Sequence, residues 1–209
     1  MYTLYYSPGA ASLLPHLLML EMGVAHELRR VDTAAGEQRS PEYLRLNPNG
    51  VVPTLIVDGR PYAETAALLL LLCERHPEAG LAPAIDAPER AAFLQGVLYL
   101  ANTLQPAFRL WFYPGDVGNV DETALKEGLR ARIEICFDRL ADQLADGRPY
   151  LLGERLSALD LYATMLMRWS RNMPRPATEW PALKALADRV RARPSWRRLY
   201  EIEGLTEWV

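Results

Sequence analysis

With 209 residues, half of them apolar and 23% charged, the chain can bury a core as one large domain or two small ones without staples. Its net charge of −3 and pI near 5.7 exclude a coat for nucleic acid or for an anionic membrane. A mean hydropathy of −0.10 excludes a disordered chain, since burial can offset the ordering entropy. Cys73 and Cys136 are far apart and neither sits in a C-x-x-C pair, which excludes a disulfide scaffold or zinc knuckle and fits a reducing compartment. The longest apolar run, residues 66–73, is too short to span a bilayer, and the first residues show no basic start or cleavable apolar core. The expectation is a soluble cytoplasmic protein.

The first 80 residues alternate strand and helix. Thr3 to Tyr6 reads as a strand, Ser12 to Met22 as a helix stopped by Gly23, and Glu27 to Asp32 as a second strand. Ser40-Pro41-Glu42 starts a helix with proline at its first position, where the missing N–H costs nothing. Pro53 to Val57 is a strand, Asp58-Gly59 a tight hairpin turn, and Ala63-Glu64-Thr65 opens an apolar helix reaching Arg75. The order β-α-β-α-β-β-α predicts a small mixed sheet with helices on both faces.

Residues 77–88 have linker composition, and beyond them the period is helical throughout. Asp86-x-x-Glu89 resembles a capping box ahead of a long helix towards Leu110. Leu125, Leu129, Ile133, Cys136, Leu140 and Leu144 form one apolar stripe, Ser157-x-x-Asp160 is a second capping box, and two short helices cover 181–193 and 195–202. The halves also differ in charge, with 6 basic and 9 acidic side chains in residues 1–80 and 17 of each after them. The chain is read as an α/β domain (1–78), a linker (79–87) and an all-helical domain (88–209).

Absences narrow the chemistry. There is no phosphate-binding glycine loop, no H-E-x-x-H and no G-x-S-x-G. His16, His26 and His76 are scattered, too few for a metal site, so no metal is expected. Three segments stand out together. Tyr6-Ser7-Pro8-Gly9-Ala10-Ala11-Ser12 is a strand, a turn and a serine at a helix start, where a hydroxyl either caps the helix or donates to an anion. Asn47-Pro48-Asn49-Gly50-Val51-Val52-Pro53 leads into a strand through a proline that removes a donor and is a candidate cis bond. Glu64-Thr65 opens the apolar helix as a capping pair or an anion site.

In order and spacing these segments, with His16, Ser157-Ala158-Leu159-Asp160 and Tyr162, resemble bacterial glutathione transferases, most closely the beta class, across essentially the whole chain. The resemblance implies an α/β thioredoxin-like N-terminal domain plus an all-α C-terminal helical domain, assembled as a homodimer. It implies that Val52 presents its backbone N–H and C=O to the cysteinyl part of glutathione with Pro53 cis, and that Glu64 and Thr65 hold the γ-glutamyl group. Arg39 is the candidate for the glycyl carboxylate, in a segment where the family often has lysine. Two departures matter: the beta class usually carries cysteine where this chain has Ala11, and histidine where it has Gln105. Thiol activation then passes to Ser12, with Tyr6 as the second choice. A free thiol titrates near 8.5, and lowering that by about two units favours the thiolate by roughly 2.7 kcal/mol, within reach of a hydroxyl and a helix N-terminus. Asn102, Gln105 and Arg109, with Leu98 and Trp111, are candidates by position for the electrophile site.

The leading expectation is a detoxifying transferase that conjugates glutathione, its co-substrate, to a small electrophile. The alternatives are glutathione-dependent peroxide or disulfide reduction, and a non-catalytic binding protein that keeps the fold.

Overall fold

The computed structural model describes residues 1–208, which fall into two compact units: Met1–Ala82 together with the segment from Arg191 onward, and Pro83–Val190. The sequence division closes its first domain at residue 78 and assigns everything from 88 to the second. In the structure the C-terminal segment belongs with the first unit, for a reason seen in its last helix.

The first unit contains strands β1 (Tyr2–Tyr6), β2 (His26–Arg30), β3 (Thr54–Val57) and β4 (Arg60–Tyr62) in the order β2-β1-β3-β4. β1 and β2 run parallel, whereas β3 is antiparallel to β1 and β4 to β3. The β3–β4 hairpin turns through Asp58 and Gly59, both at positive φ (52° and 78°), the turn whose twist matches the flanking strands. Along β1, Tyr2, Leu4 and Tyr6 face the core while Thr3 and Tyr5 are half-buried, the period of two expected of a strand.

Helices α1 (Leu13–Glu21), α2 (Pro41–Leu44) and α3 (Thr65–Arg75) alternate with these strands. The Ser40 hydroxyl caps α2 by accepting the Tyr43 N–H at 3.2 Å. Seven consecutive residues of α1, Leu13 to Met19, are buried, because the helix is covered on several sides, by α3 and by the last helix of the chain, α9 (Pro194–Glu203), among others. That helix buries Trp196, Leu199, Tyr200 and Glu203. A stripe of this width must be covered, and α1 covers it.

The second unit holds α4 (Arg90–Tyr99), α5 (Gln105–Phe112), α6 (Glu122–Gln143), α7 (Ala158–Trp169) and most of α8 (Pro181–Arg191). The predicted capping box at Asp86 does not form: residues 84–90 make two turns instead, and α4 starts at Arg90. The long helix towards Leu110 is present but interrupted by a π-helical turn, Leu100–Leu104. Pro106 explains it, since a proline inside a helix removes one ladder hydrogen bond and crowds the carbonyl four residues back. In α6 the predicted stripe is buried from Leu129 to Leu140, with Phe137 added to it. In α7 the Asp160 carboxylate, fully buried, accepts the Ser157 N–H, the Ser157 hydroxyl and the Leu151 N–H, each at 2.8 Å. The predicted Ser157–Asp160 box is thus present and reaches one loop further.

Candidate active site

The sheet gathers the three singled-out segments at one end. β1 is antiparallel to β3 with Tyr5 opposite Thr54, so the turn after Tyr6 and the chain before Thr54 lie at the same edge. β4 runs back with Tyr62 opposite Leu55, which delivers Glu64 and the start of α3 to that edge as well. β2 runs parallel to β1 and ends beside it, where the Ser7 and Thr33 hydroxyls are hydrogen-bonded at 3.0 Å.

The second segment is held by its own first residue, Asn47, and by Tyr43, which no local pattern singles out. Both the Tyr43 hydroxyl (2.8 Å) and the Asn47 amide (2.7 Å) donate to the Val51 carbonyl, and the Tyr43 oxygen also lies 2.8 Å from the Thr54 hydroxyl. Burial pushes the Tyr43 phenol above its ordinary pKa, with the Thr54 and Asn47 hydrogen bonds opposing, so it stays a donor. Asn47 is buried and its Oδ1 accepts the Asn49 N–H at 3.1 Å. With Val51 fixed this way, the Val52–Pro53 bond is cis. Among the described residues the Val52 N–H and carbonyl have no partner within the chain, an open piece of strand edge.

Glu64 stands exposed at φ 69°, ψ 108° as the N-cap of α3, with Thr65 buried behind it. A non-glycine residue at such a φ is held there by its surroundings, and residues of this kind cluster at binding sites. The 11-residue α3 presents the N–H groups of its first turn at this point. Arg39 is exposed and donates from Nη1 to the Asn49 carbonyl at 3.2 Å. It lies over Gly50, where an added Cβ would come within 2.7 Å of that nitrogen.

The first segment corrects an expectation. Ser12 is fully buried, and its hydroxyl is closed on Ser7 from both sides, donating to the Ser7 carbonyl and accepting the Ser7 N–H, both at 3.1 Å. It neither caps α1 nor keeps a proton for a bound anion; it braces the loop. Tyr6 does not replace it, because its ring faces the core beside His16, at a centroid distance of 6.0 Å. What the loop does offer is backbone: among the described residues the Ala11 and Ser12 N–H groups have no acceptor within the chain, and both open α1.

The electrophile candidates are not brought together. Asn102 and Leu98 line a cavity of about 840 Å³ within the second unit, beside Tyr99, Arg139 and Arg148, but neither Gln105 nor Arg109 lines it. The Gln105 carbonyl accepts the Tyr162 hydroxyl. Arg109 is engaged by Asp116 through Nε at 2.6 Å and stacks on Tyr113 at 4.0 Å. Its charge is therefore paired within its own unit.

Comparison with known proteins agrees with this geometry. The glutathione S-transferase N-terminal domain matches residues 12–75 and the C-terminal domain residues 123–201. Glutathione S-transferase GST-4.5 of Xanthomonas campestris pv. campestris is 31% identical over 97% of this chain and 98% of its own length. The chain belongs to the glutathione S-transferase family. Among solved structures, that of a sphingomonad glutathione S-transferase complexed with glutathione is 31% identical, with a TM-score of 0.86 over 98% of this chain and all of that one. A bacterial beta-class transferase of Sphingomonas chungbukensis is 30% identical with a TM-score of 0.85 over 98% and 100% of the two chains. The thioredoxin-like first unit and helical second unit are thus the architecture of this transferase family.

Proposed function

We propose that the protein is a glutathione transferase that joins the glutathione sulfur to small electrophiles. The observation that carries this reading is the convergence, at one end of one sheet, of an unpaired Val52 backbone before cis-Pro53, a strained Glu64 at the start of α3, and two open amides at the start of α1. Each fits one part of the tripeptide. Val52 adds an extended backbone as a further strand. The first turn of α3, with Thr65, receives the γ-glutamyl carboxylate, while the exposed Glu64 carboxylate faces its ammonium. Arg39 is the cation at the loop for the glycyl carboxylate.

The thiol then falls to the Ala11 and Ser12 N–H groups. Ser12 takes part through its amide, and its hydroxyl keeps the loop in shape. Amides at a helix N-terminus favour the thiolate over the thiol, so the proton leaves to solvent. The sulfur attacks the electrophilic carbon, a carbon–sulfur bond forms, and the leaving group departs with the bonding pair. Ala11 offers no sulfur for a mixed disulfide, and Cys73 and Cys136 are both buried, which favours conjugation over a relay through a protein thiol. We also read the protein as a cytoplasmic homodimer that serves detoxification. Leu98 and Ile135, 50% and 64% exposed on α4 and α6, support a partner surface, and two cysteines 63 residues apart outside any C-x-x-C pair support a reducing compartment.

Calorimetric titration with glutathione tests the site. Native protein is expected to bind, and the Glu64→Ala/Thr65→Ala double variant to bind at least tenfold more weakly, the loss of about 1.4 kcal/mol or more that a charge-assisted contact implies. Conjugation to an activated aryl chloride should fall in parallel at limiting glutathione. Equal affinity in the double variant, with its fold intact by circular dichroism, would overturn the assignment.

A further inference from the structure

The loop beneath Arg39 contains a reactive pair. Of the five asparagines in the chain, Asn47, Asn49, Asn102, Asn119 and Asn172, only Asn49 precedes a glycine. An asparagine before glycine is the form most open to ring closure through its side chain, because no Cβ shields the following nitrogen. Here the glycine is not exchangeable. Gly50 sits at φ 60°, and a Cβ there would come within 2.7 Å of Arg39 Nη1 and 3.0 Å of the Gln38 carbonyl oxygen. The fold therefore demands the residue that makes Asn49 vulnerable.

Asn47 to Gly50 form one turn, closed by the Gly50 N–H on the Asn47 carbonyl at 2.9 Å. Asn49 is exposed in it, and among the described residues its side-chain amide has no hydrogen-bond partner. Its backbone is engaged on both sides: the N–H donates to Asn47 Oδ1 at 3.1 Å, and the carbonyl accepts Arg39 Nη1 at 3.2 Å. That carbonyl belongs to the peptide whose nitrogen must lose its proton before the ring can close. The charge of a deprotonated peptide spreads from nitrogen onto oxygen, and a guanidinium donating to the oxygen favours that anion. The opposing contact is the turn's own hydrogen bond, which holds the Gly50 proton. Opening a single turn with Pro48 and Asn49 exposed at its tip releases it.

We infer that Asn49 is a modification site, at which Arg39 promotes loss of the side-chain amide and the product weakens glutathione binding. The Gly50 nitrogen, once deprotonated, attacks Asn49 Cγ. The bond from Cγ to Nδ2 breaks, and ammonia leaves with the proton. Water then opens the cyclic imide, at one carbonyl to give aspartate and at the other to give isoaspartate, whose chain runs through Cβ and Cγ. No electron is transferred. Either product adds a carboxylate beside Arg39, which competes with the glycyl carboxylate for that cation. Isoaspartate also lengthens the path to Val52 by one carbon. This consequence rests on the function proposed above; the chemistry at Asn49 does not.

Native protein and Arg39→Met are aged side by side in mildly alkaline buffer, folded and in urea, with residue 49 followed by peptide mapping and glutathione affinity by calorimetry. In folded native protein Asn49 is expected to convert ahead of the other asparagines, to a mixture of aspartate and isoaspartate. Folded Arg39→Met should convert about threefold more slowly, the size of a solvent-exposed charge interaction. In urea the two chains should convert at one rate. The aspartate form, made directly as Asn49→Asp, should bind glutathione about threefold more weakly than fresh native protein, and fully aged native protein more weakly still because of its isoaspartate. Asn49→Gln, whose longer side chain closes a less favourable ring, should keep through ageing whatever affinity it begins with. Asn49 as durable as the other asparagines overturns the inference and leaves the proposed function standing. Equal folded rates in native protein and Arg39→Met also overturn it, as does conversion with undiminished binding. Fresh native protein that does not bind glutathione overturns the proposed function and the consequence for binding, and the peptide map still decides the chemistry at Asn49.

Discussion

Asp160 and Asp121 provide the same service in opposite environments, and replacing each by alanine separates hydrogen bonding from burial. Asp121 caps α6 by accepting the Thr123 and Ala124 N–H groups at 2.9 and 3.1 Å on the exposed surface. Asp160 accepts the Ser157 and Leu151 N–H groups at 2.8 Å where nothing reaches solvent. In Asp121→Ala the released donors turn to water, and the cost is that of a lost cap, about 1 kcal/mol. In Asp160→Ala two backbone donors stay buried without an acceptor, at about 1–3 kcal/mol each, so the expected cost is about 2–6 kcal/mol. The Ser157 hydroxyl adds little because it can rotate. Asp160→Asn should fall between them: it keeps one good acceptor and removes a charge whose burial holds the carboxyl above its ordinary pKa despite the Leu151 and Ser157 hydrogen bonds. Against a total stability of about 5–15 kcal/mol, the alanine variant loses a large share, and for a chain of this length about 4 kcal/mol corresponds to a fall in Tm of roughly 8–16 °C. Urea unfolding followed by circular dichroism reads the difference as a shift in midpoint at constant slope. Equal costs for Asp160→Ala and Asp121→Ala, or a cost under about 1 kcal/mol for the former, would refute the reasoning.

Gly96 of α4 leaves room for Leu159, since an added Cβ would lie 2.6 Å from Leu159 Cδ2 and 3.0 Å from Cδ1. Helix propensity alone favours Gly96→Ala by about 1 kcal/mol, but overpacking costs about 1–3 kcal/mol, so a net loss is expected and a raised Tm would contradict it. Glu21 concerns acid stability. Burial alone would raise its carboxyl, but hydrogen bonds from Arg193 and Ser195 and the Arg193 charge outweigh burial and leave the pKa below its ordinary 4.5. A depressed folded-state pKa gives stability that is present above 4.5 and lost as the pH falls through the folded value. Arg193→Met should therefore lower Tm at neutral pH, and its gap from native should close in acid; a gap that is constant with pH would count against the pairing.

Much of the fold was legible because its signals act within a turn or two. Asp58-Gly59 requires positive φ, Ser40-Pro41 starts a helix, and the spacing of Leu129, Ile133, Cys136 and Leu140 sets one face of α6. The three segments of the candidate site were visible for the same reason. Pairing β3 and β4 antiparallel then brings them to one edge.

What the sequence by itself determined is local backbone form: which residues turn, cap, alternate or repeat at 3.6. Side-chain direction and distant partners were decided only by tertiary structure. Ser12 reads as a helix cap or a donor to an anion, and only the fold shows its hydroxyl closed onto Ser7. Arg109 is a candidate by position, and only the fold shows that Asp116 meets it from the next turn of chain. Tyr43 and Asn47 gain their role from a shared acceptor, the Val51 carbonyl. Glu203 meets Gly9 and His16 from 194 and 187 residues away, and no local pattern couples such distances. The physical reason is that backbone preference is set by neighbours along the chain, whereas a buried polar atom takes whichever partner packing brings within 3 Å, and packing is a property of the whole fold.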